Sequence, residues 1–140
     1  MTGTMADTLR LEIVTPEGVA FTEDVVMVTL PSVEGQLGIY PQHVPLITEL
    51  VPGELIVHGA GPDRFLAVGS GLVDISADRV GIVTDMAVAA EHIDEAKVED
   101  ARRRAEARLA ERISDEEIAS VNASLARSLA QLQVRRRRRT

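Results

Sequence analysis

Glycine and proline stop part-way along this chain. All ten glycines fall between Gly3 and Gly81 and all six prolines between Pro16 and Pro62; beyond Gly81 there is neither. Both residues punctuate turns and are costly inside helices. The architecture must therefore change near residues 85–92. Charge changes at the same place. Residues 1–90 carry twelve acids against three bases (Arg10, Arg64, Arg79), whereas residues 91–140 carry ten acids and twelve bases. From Ile118 to Thr140 there are six arginines and no acid, so a net charge of −7 conceals a basic end.

The first part reads as short strands. Leu9, Leu11 and Ile13 alternate with Arg10 and Glu12, the period-2 pattern of a half-buried strand. Thr15-Pro16-Glu17-Gly18 has Pro and Gly where a β-turn takes them. Apolar segments follow at Val25–Leu30, Leu37–Tyr40, Val44–Leu50, Glu54–His58, Phe65–Val68, Leu72–Ile75 and Val80–Thr84, separated by Pro52-Gly53, Gly61-Pro62-Asp63, Gly69-Ser70-Gly71 and Ala77-Asp78. Such spacing predicts a sandwich or barrel. With aromatics at 2% of the chain, its core must be aliphatic, and no stacking platform for single-stranded nucleic acid is available.

The second part reads as helices. Val98, Ala101, Ala105, Leu109 and Ile113 form one stripe, with Glu99/Arg103 and Asp100/Arg104 as i,i+4 pairs beside it. Ser114-Asp115-Glu116-Glu117 is a capping box that starts a second helix striped by Ile118, Val121, Leu125, Leu129 and Leu132. The tight turn at Ser114 makes the helices antiparallel. Alanine-rich stripes bury little area, so the spacing predicts a hairpin that can detach from whatever it rests on.

Catalytic motifs are absent. His43, His58 and His92 are scattered, and no zinc-protease, phosphate-loop, dinucleotide or EF-hand spacing occurs. Gly69-Ser70-Gly71 reads as a turn between strands, His58 as a solvated side chain beside one, and Glu23-Asp24 as a strand edge. The chain has no cysteine, and no apolar run approaches the ~20 residues of a membrane span. Residues 1–7 lack the basic head and apolar stretch of a signal peptide, which predicts a cytoplasmic protein.

Two features stand apart. Arg135 to Arg139 reads as a solvated tail or as a patch for an anionic partner, with an acidic protein surface favoured over nucleic acid. Glu34-Gly35-Gln36-Leu37-Gly38-Ile39-Tyr40-Pro41-Gln42-His43-Val44-Pro45-Leu46 collects two glycines, two prolines, the single tyrosine and a histidine. Gly35 and Gly38 can be explained by backbone angles alone, whereas Tyr40 and His43 point to a contact surface.

That segment resembles the signature E-G-E-L-G-I-x-P-x-H-x-P-L of the epsilon subunit of bacterial F-type ATP synthases. The likeness runs through Val14-Thr15-Pro16, Val68-Gly69-Ser70-Gly71 and Ile93-Asp94-Glu95-Ala96. It implies an α+β fold: an N-terminal all-β sandwich over 9–90, then an antiparallel two-helix hairpin over 91–134 (helices about 94–113 and 115–134). A flexible extension over 1–8 and a basic tail over 135–140 complete the expected organisation. The resemblance further implies a non-catalytic central-stalk subunit on the cytoplasmic face of the bacterial membrane. Its β-domain would contact the gamma subunit and the c-ring through Glu34, Gly35, Gln36, Leu37, Gly38, Tyr40 and His43. Its helices, through Arg127, Arg135, Arg136 and Arg137, would reach the alpha and beta catalytic subunits and restrain ATP hydrolysis. The alternative expectation is a β-domain adaptor whose basic helical tail binds nucleic acid or anionic lipid.

The sequence also departs from the family. Gln36 stands where a Glu is common, and Gly69-Ser70-Gly71 where many relatives have Ser-Gly-Gly. Some relatives bind ATP through I/L-D-x-x-R-A. Here Ile93-Asp94-Glu95-Ala96-Lys97-Val98 keeps Asp94 but has Lys97 for Arg, a point charge in place of a bidentate fork. The expectation is that no cofactor is required, with Asp94, Lys97, Arg104 and Arg127 a weak regulatory ATP site, or with Asp94 simply capping the helix.

Overall fold

The structure, a computed structural model, describes residues 8–138. The expected extension over 1–8 thus lies outside the described residues except for Thr8. Ten strands precede two helices: β1 (Leu9–Thr15), β2 (Gly18–Val25), β3 (Met27–Ser32), β4 (Gly35–Ile39), β5 (Leu46–Leu50), β6 (Gly53–His58), β7 (Arg64–Val68), β8 (Gly71–Ile75), β9 (Arg79–Thr84), β10 (Ala87–Ala89), α1 (Glu95–Leu109) and α2 (Asp115–Arg138). A 3-10 turn at Ala90–His92 joins the two parts.

The strands run in the order β10-β7-β6-β3-β5-β8-β9-β1-β2, with β4 on the flank of β3. One residue pair, Ser32 opposite Leu50, joins the two halves of this path. The halves fold over a single core to which β1 through β9 all contribute, which is the expected sandwich. Leu11, Ile13, Val28, Leu30, Leu55, Val57, Val73 and Ile82 are fully or almost fully buried, and no aromatic side chain is among the fully buried ones. Burial alternates along β1 as the sequence pattern requires.

Two strands had no clear signal in the sequence. β2 is largely exposed along Gly18–Asp24, and its apolar alternation of Val19, Phe21 and Val25 is broken by Glu23. The Val25–Leu30 run breaks at Val26, whose amide donates to the His58 carbonyl at 2.8 Å, and β3 starts one residue later. The three-residue β10 is too short to show a period. His58 is not simply solvated: Nε2 lies 3.1 Å from Thr29 Oγ1 and Nδ1 lies 3.0 Å from Asp63 Oδ1, tying β3 to the β6–β7 turn.

The Gly69-Ser70-Gly71 turn has a steric basis. A Cβ on Gly71 would lie 1.9 Å from the Val83 carbonyl oxygen, and one on Gly69 would lie 1.8 Å from Asp85 Oδ1. Backbone approach fixes the first glycine; the Asp85 carboxylate lying against the chain fixes the second.

The helices differ from expectation at both ends of the hairpin. α1 stops at Leu109, short of 113, because the chain must turn before Ser114, whose Oγ accepts the Glu117 amide at 3.2 Å and starts α2. The Glu117 carboxylate meets Arg108 at 2.5 Å, bracing the turn. α2 continues through Arg138, so Arg135–Arg138 are its last turn and not a separate tail; residues 139–140 of the expected tail lie outside the described residues. Arginine is a good helix former, and positive charge is favoured at a helix C-terminus.

The α2 stripe also differs. Ile118 and Leu129 are exposed, whereas Ser128, Ala130, Leu132 and Val134 are buried. The C-terminal half of α2 is covered on two sides, by α1 and by the β-domain, where it packs on β6 and β7. Val134 joins Ala67, Ala90 and Ile93 in a small second core, with Phe65, Met86, Val88 and Val98 around it. The α1–α2 seam is loose farther out, where Ala101, Ala105, Val121 and Ser124 line a cleft of about 440 Å³.

Candidate functional site

Three surfaces carry the residues singled out by the sequence. The first is the β3–β4 hairpin and the loop after it. Ser32 Oγ donates to the Gly35 carbonyl at 2.7 Å and accepts the Glu34 amide at 3.1 Å, building a turn in which Gly35 has φ +110°. Only glycine adopts that angle readily. Glu34 Oε1 accepts from Thr48 Oγ1 at 3.3 Å, Leu37 packs on the core, and Gln36 and Gly38 face solvent. Tyr40 is 58% exposed, and the exposed His43 ring places Nδ1 2.7 Å from the Val44 carbonyl. Between them Gln42 takes φ +69°, the sole non-glycine positive φ among the described residues, while its amide donates to the Ala77 carbonyl at 2.6 Å. The loop holds a conformation costly for a side-chain-bearing residue in order to present Tyr40 and Val44 outward.

The second surface was missed in the sequence. On the outer face of β1, β9, β8 and β5, Val14 sits opposite Val83 and Val83 opposite Leu72. Ile47 lies one strand further across, opposite Asp74. Ile47, Leu72 and Val83 are 72%, 57% and 62% exposed. With Val14 they line a shallow cleft of about 360 Å³, flanked by the Arg79–Glu12 pair at 2.9 Å. An exposed apolar stripe of this kind marks an interaction site. Hydropathy gave no signal for it: in β5 Thr48 points inward while Ile47 points outward, the reverse of what hydropathy alone would place. The hairpin covers β6 and β7 and leaves this half of the sandwich open.

The third surface is the basic half of α2. Arg127 pairs with Asp85 at 3.2 Å, in the loop between β9 and β10. Arg136 reaches Glu95 at 3.2 Å and Glu99 at 2.6 Å on α1. Arg137 pairs with the buried Glu54 of β6. Arg135 lines a crevice of about 310 Å³ with Asp63, Arg64 and Glu91, its Nε buried without a hydrogen-bond partner. Arg102 above all, and Arg136 more weakly, hold the Glu99 carboxyl below the usual carboxylate range.

The residues considered for nucleotide are dispersed among local partners. Asp94 Oδ1 accepts the Lys97 amide at 3.2 Å, capping α1. Arg104 pairs with Asp100, one of the two i,i+4 pairs expected. Glu99 pairs with Arg102 and Arg136 in place of Arg103. Ten residues of helix separate Asp94 from Arg104, roughly 15 Å along the axis. No group of three or more metal-ligating side chains occurs among the described residues, and none of their helices is long and apolar enough to cross a membrane.

The comparisons agree with this architecture. Residues 8–90 match the family model described as ATP synthase, Delta/Epsilon chain, beta-sandwich domain, and residues 91–135 match its long alpha-helix domain. The ATP synthase epsilon chain of Herpetosiphon aurantiacus is 43% identical over 94% of this chain and 96% of its own length. That of Alkalilimnicola ehrlichii is 39% identical over 94% and 95%. A chain in the mitochondrial ATP synthase of Euglena gracilis, resolved with OSCP, F1 and the c-ring, superposes with TM-score 0.76 at 22% identity, covering 95% of this chain and 84% of that one. The likeness therefore extends over both domains, in sequence and in fold, and the chain belongs to the ATP synthase delta/epsilon family.

Proposed function

We propose that this chain is a regulatory central-stalk subunit, docking by its β-domain on the gamma subunit and c-ring and restraining ATP hydrolysis through its helices. One observation carries the reading: a sandwich with an uncovered apolar face bears a hairpin with a weakly packed seam and an arginine-rich end. The Val14–Ile47–Leu72–Val83 stripe and the Glu34–His43 loop lie in the part of the β-domain that the hairpin leaves open. They supply the attachment that makes stalk and ring turn as one body, and burying the stripe supplies its hydrophobic driving force. The arginines of α2 supply the brake by meeting carboxylates on the catalytic subunits. In this reading the subunit sits peripherally at the cytoplasmic face of the membrane.

The adaptor alternative, in which the basic helical tail binds nucleic acid or anionic lipid, has no support among the relatives, which are ATP synthase epsilon chains. Regulation by ATP through Asp94, Lys97, Arg104 and Arg127 is a secondary proposal. It requires Arg104 and Arg127 to leave Asp100 and Asp85, and the absence of any spectral change at millimolar ATP would remove it.

The deciding experiment measures ATP hydrolysis by the cognate alpha, beta and gamma assembly alone, with the full chain, and with a chain ending at Ala90. The expected outcome is that both forms bind gamma and only the full chain slows hydrolysis. Failure of both to bind gamma overturns the reading.

A further inference from the structure

The β-domain cannot neutralise all of its own acids. Its three bases are committed within it: Arg10 to Asp24, Arg64 to Glu23 and Arg79 to Glu12. Glu54 and Asp85 are left to counter-ions from outside the domain, and both come from α2, as Arg137 and Arg127. Glu54 shows how far this dependence goes. Only 7% of the residue is exposed, and its Oε2 is buried without a hydrogen-bond partner, so Arg137 at Oε1 is what makes its burial tolerable. The Asp85 carboxylate lies against Gly69, in space that any side chain there would take from it, and Arg127 is its ion-pair partner. Next to Arg137, Arg136 bridges to Glu95 and Glu99 of α1.

We infer that the arginine face of α2 is an acid-binding surface which the compact chain keeps occupied with its own carboxylates. Glu54 and Asp85 are internal stand-ins for an acidic partner segment, and the compact and partner-engaged forms compete for the same arginines. Two ion pairs thereby form a latch across the domain boundary, in addition to the small apolar contact around Val134. The partner half of this inference rests on the braking role proposed above; the latch itself does not.

Competition gives acids and arginines opposite signatures. Neutralising the acids (Glu54→Gln with Asp85→Asn) frees α2 and leaves its arginines intact, so the hairpin opens and inhibition strengthens. Neutralising the arginines (Arg127→Gln with Arg137→Gln) also opens the hairpin, but inhibition weakens. A role for these arginines in inhibition alone would leave the acid variants without effect.

The test uses the full chain, which has no native cysteine. Spin labels at Ala60→Cys and Gln133→Cys, both exposed, report the distance between the β6–β7 turn and α2. The expected result is one short distance in the parent chain at low salt. A long-distance population rises about fivefold or more in either double variant, as for loss of modest ion pairs, and rises in the parent with added salt. Exchanging the charges, Glu54→Lys with Arg137→Glu, restores the short distance, which separates pairing from a folding defect. Hydrolysis by the cognate alpha, beta and gamma assembly at sub-saturating chain is then lower with the acid variant than with the parent, and higher with the arginine variant. An unchanged distance distribution in the acid variant overturns the latch. An opened hairpin with inhibition no stronger than the parent's overturns the competition. Lack of inhibition by the parent itself counts against the braking role and leaves the distance result to decide the latch.

Discussion

Val134→Ala probes the apolar side of hairpin docking. The side chain has no exposure and contacts a cluster drawn from α2, β7 and the 3-10 turn. Two carbons leave the site, at ~0.8 kcal/mol each or about 1.6 kcal/mol of transfer energy. A residual cavity of roughly 40 Å³ at ~24 cal/mol per Å³ adds about 1 kcal/mol if the site does not collapse. The sum, about 1.6 kcal/mol with full collapse and about 2.6 kcal/mol without, corresponds to a shift of roughly 15- to 80-fold in the docked-to-undocked ratio. Because this cluster is separate from the sandwich core, the loss should fall on docking and not on the β-domain. Amide hydrogen exchange read segment by segment checks this, since sub-global opening exposes one unit at a time. Exchange in residues 128–135 should accelerate by that factor while β1 and β9 keep the parent's rates. Leu129→Ala, at a site 48% exposed, should change little. Equal acceleration in β1 and β9 would refute the separation of the two units, and unchanged exchange in α2 would refute the assigned role of Val134.

Gly71→Ala should destabilise the β-domain by ~1–3 kcal/mol, read from urea midpoints, because a backbone carbonyl occupies the space. Gly69→Ala should spare that midpoint and displace Asp85 from Arg127, since there the clash is with a side chain that can swing away. Ile47→Asp should abolish co-purification with gamma while leaving the thermal midpoint unchanged, because Ile47 is 72% exposed and outside the core. Acidification should weaken the structure in a defined direction. Arg64, Arg102 and Arg108 hold the Glu23, Glu99 and Glu117 carboxyls below their ordinary value. Their stabilisation is complete above the unfolded-state value, near pH 4.3, and is lost as pH falls through the lower folded-state values. The thermal midpoint followed by circular dichroism should be level between about pH 7 and pH 5 and decline below about pH 4; a midpoint that rose on acidification would contradict these pairings.

Much of the architecture was legible from residue order, because the forces that set it act over a few neighbours. Turn chemistry at Thr15–Gly18 and the glycine–proline boundary before residue 90 mark where strands stop, and both hold in the structure. The cap at Ser114 acts over three residues and is present as read. β2 was illegible because an exposed strand needs no complete apolar period, and Glu23 interrupts this one; its place is set by pairing with β1. The Glu34–His43 loop was recognisable by composition, yet its presentation beside an outer apolar stripe was not. That stripe takes Val14, Ile47, Leu72 and Val83 from four strands and exists only in the register that aligns them.

The arginine run shows the division most sharply. Sequence alone determined its charge, its freedom from acids and its position after an amphipathic helix. Whether it would be a solvated tail or the locked end of α2 was decided by docking, which brings Arg137 to a carboxylate 83 residues earlier and Arg127 to one 42 residues earlier. Helical periodicity is a property of the local backbone. Ion pairing across a domain boundary depends on where the domains meet, and that depends on the summed packing of α2 against β6 and β7.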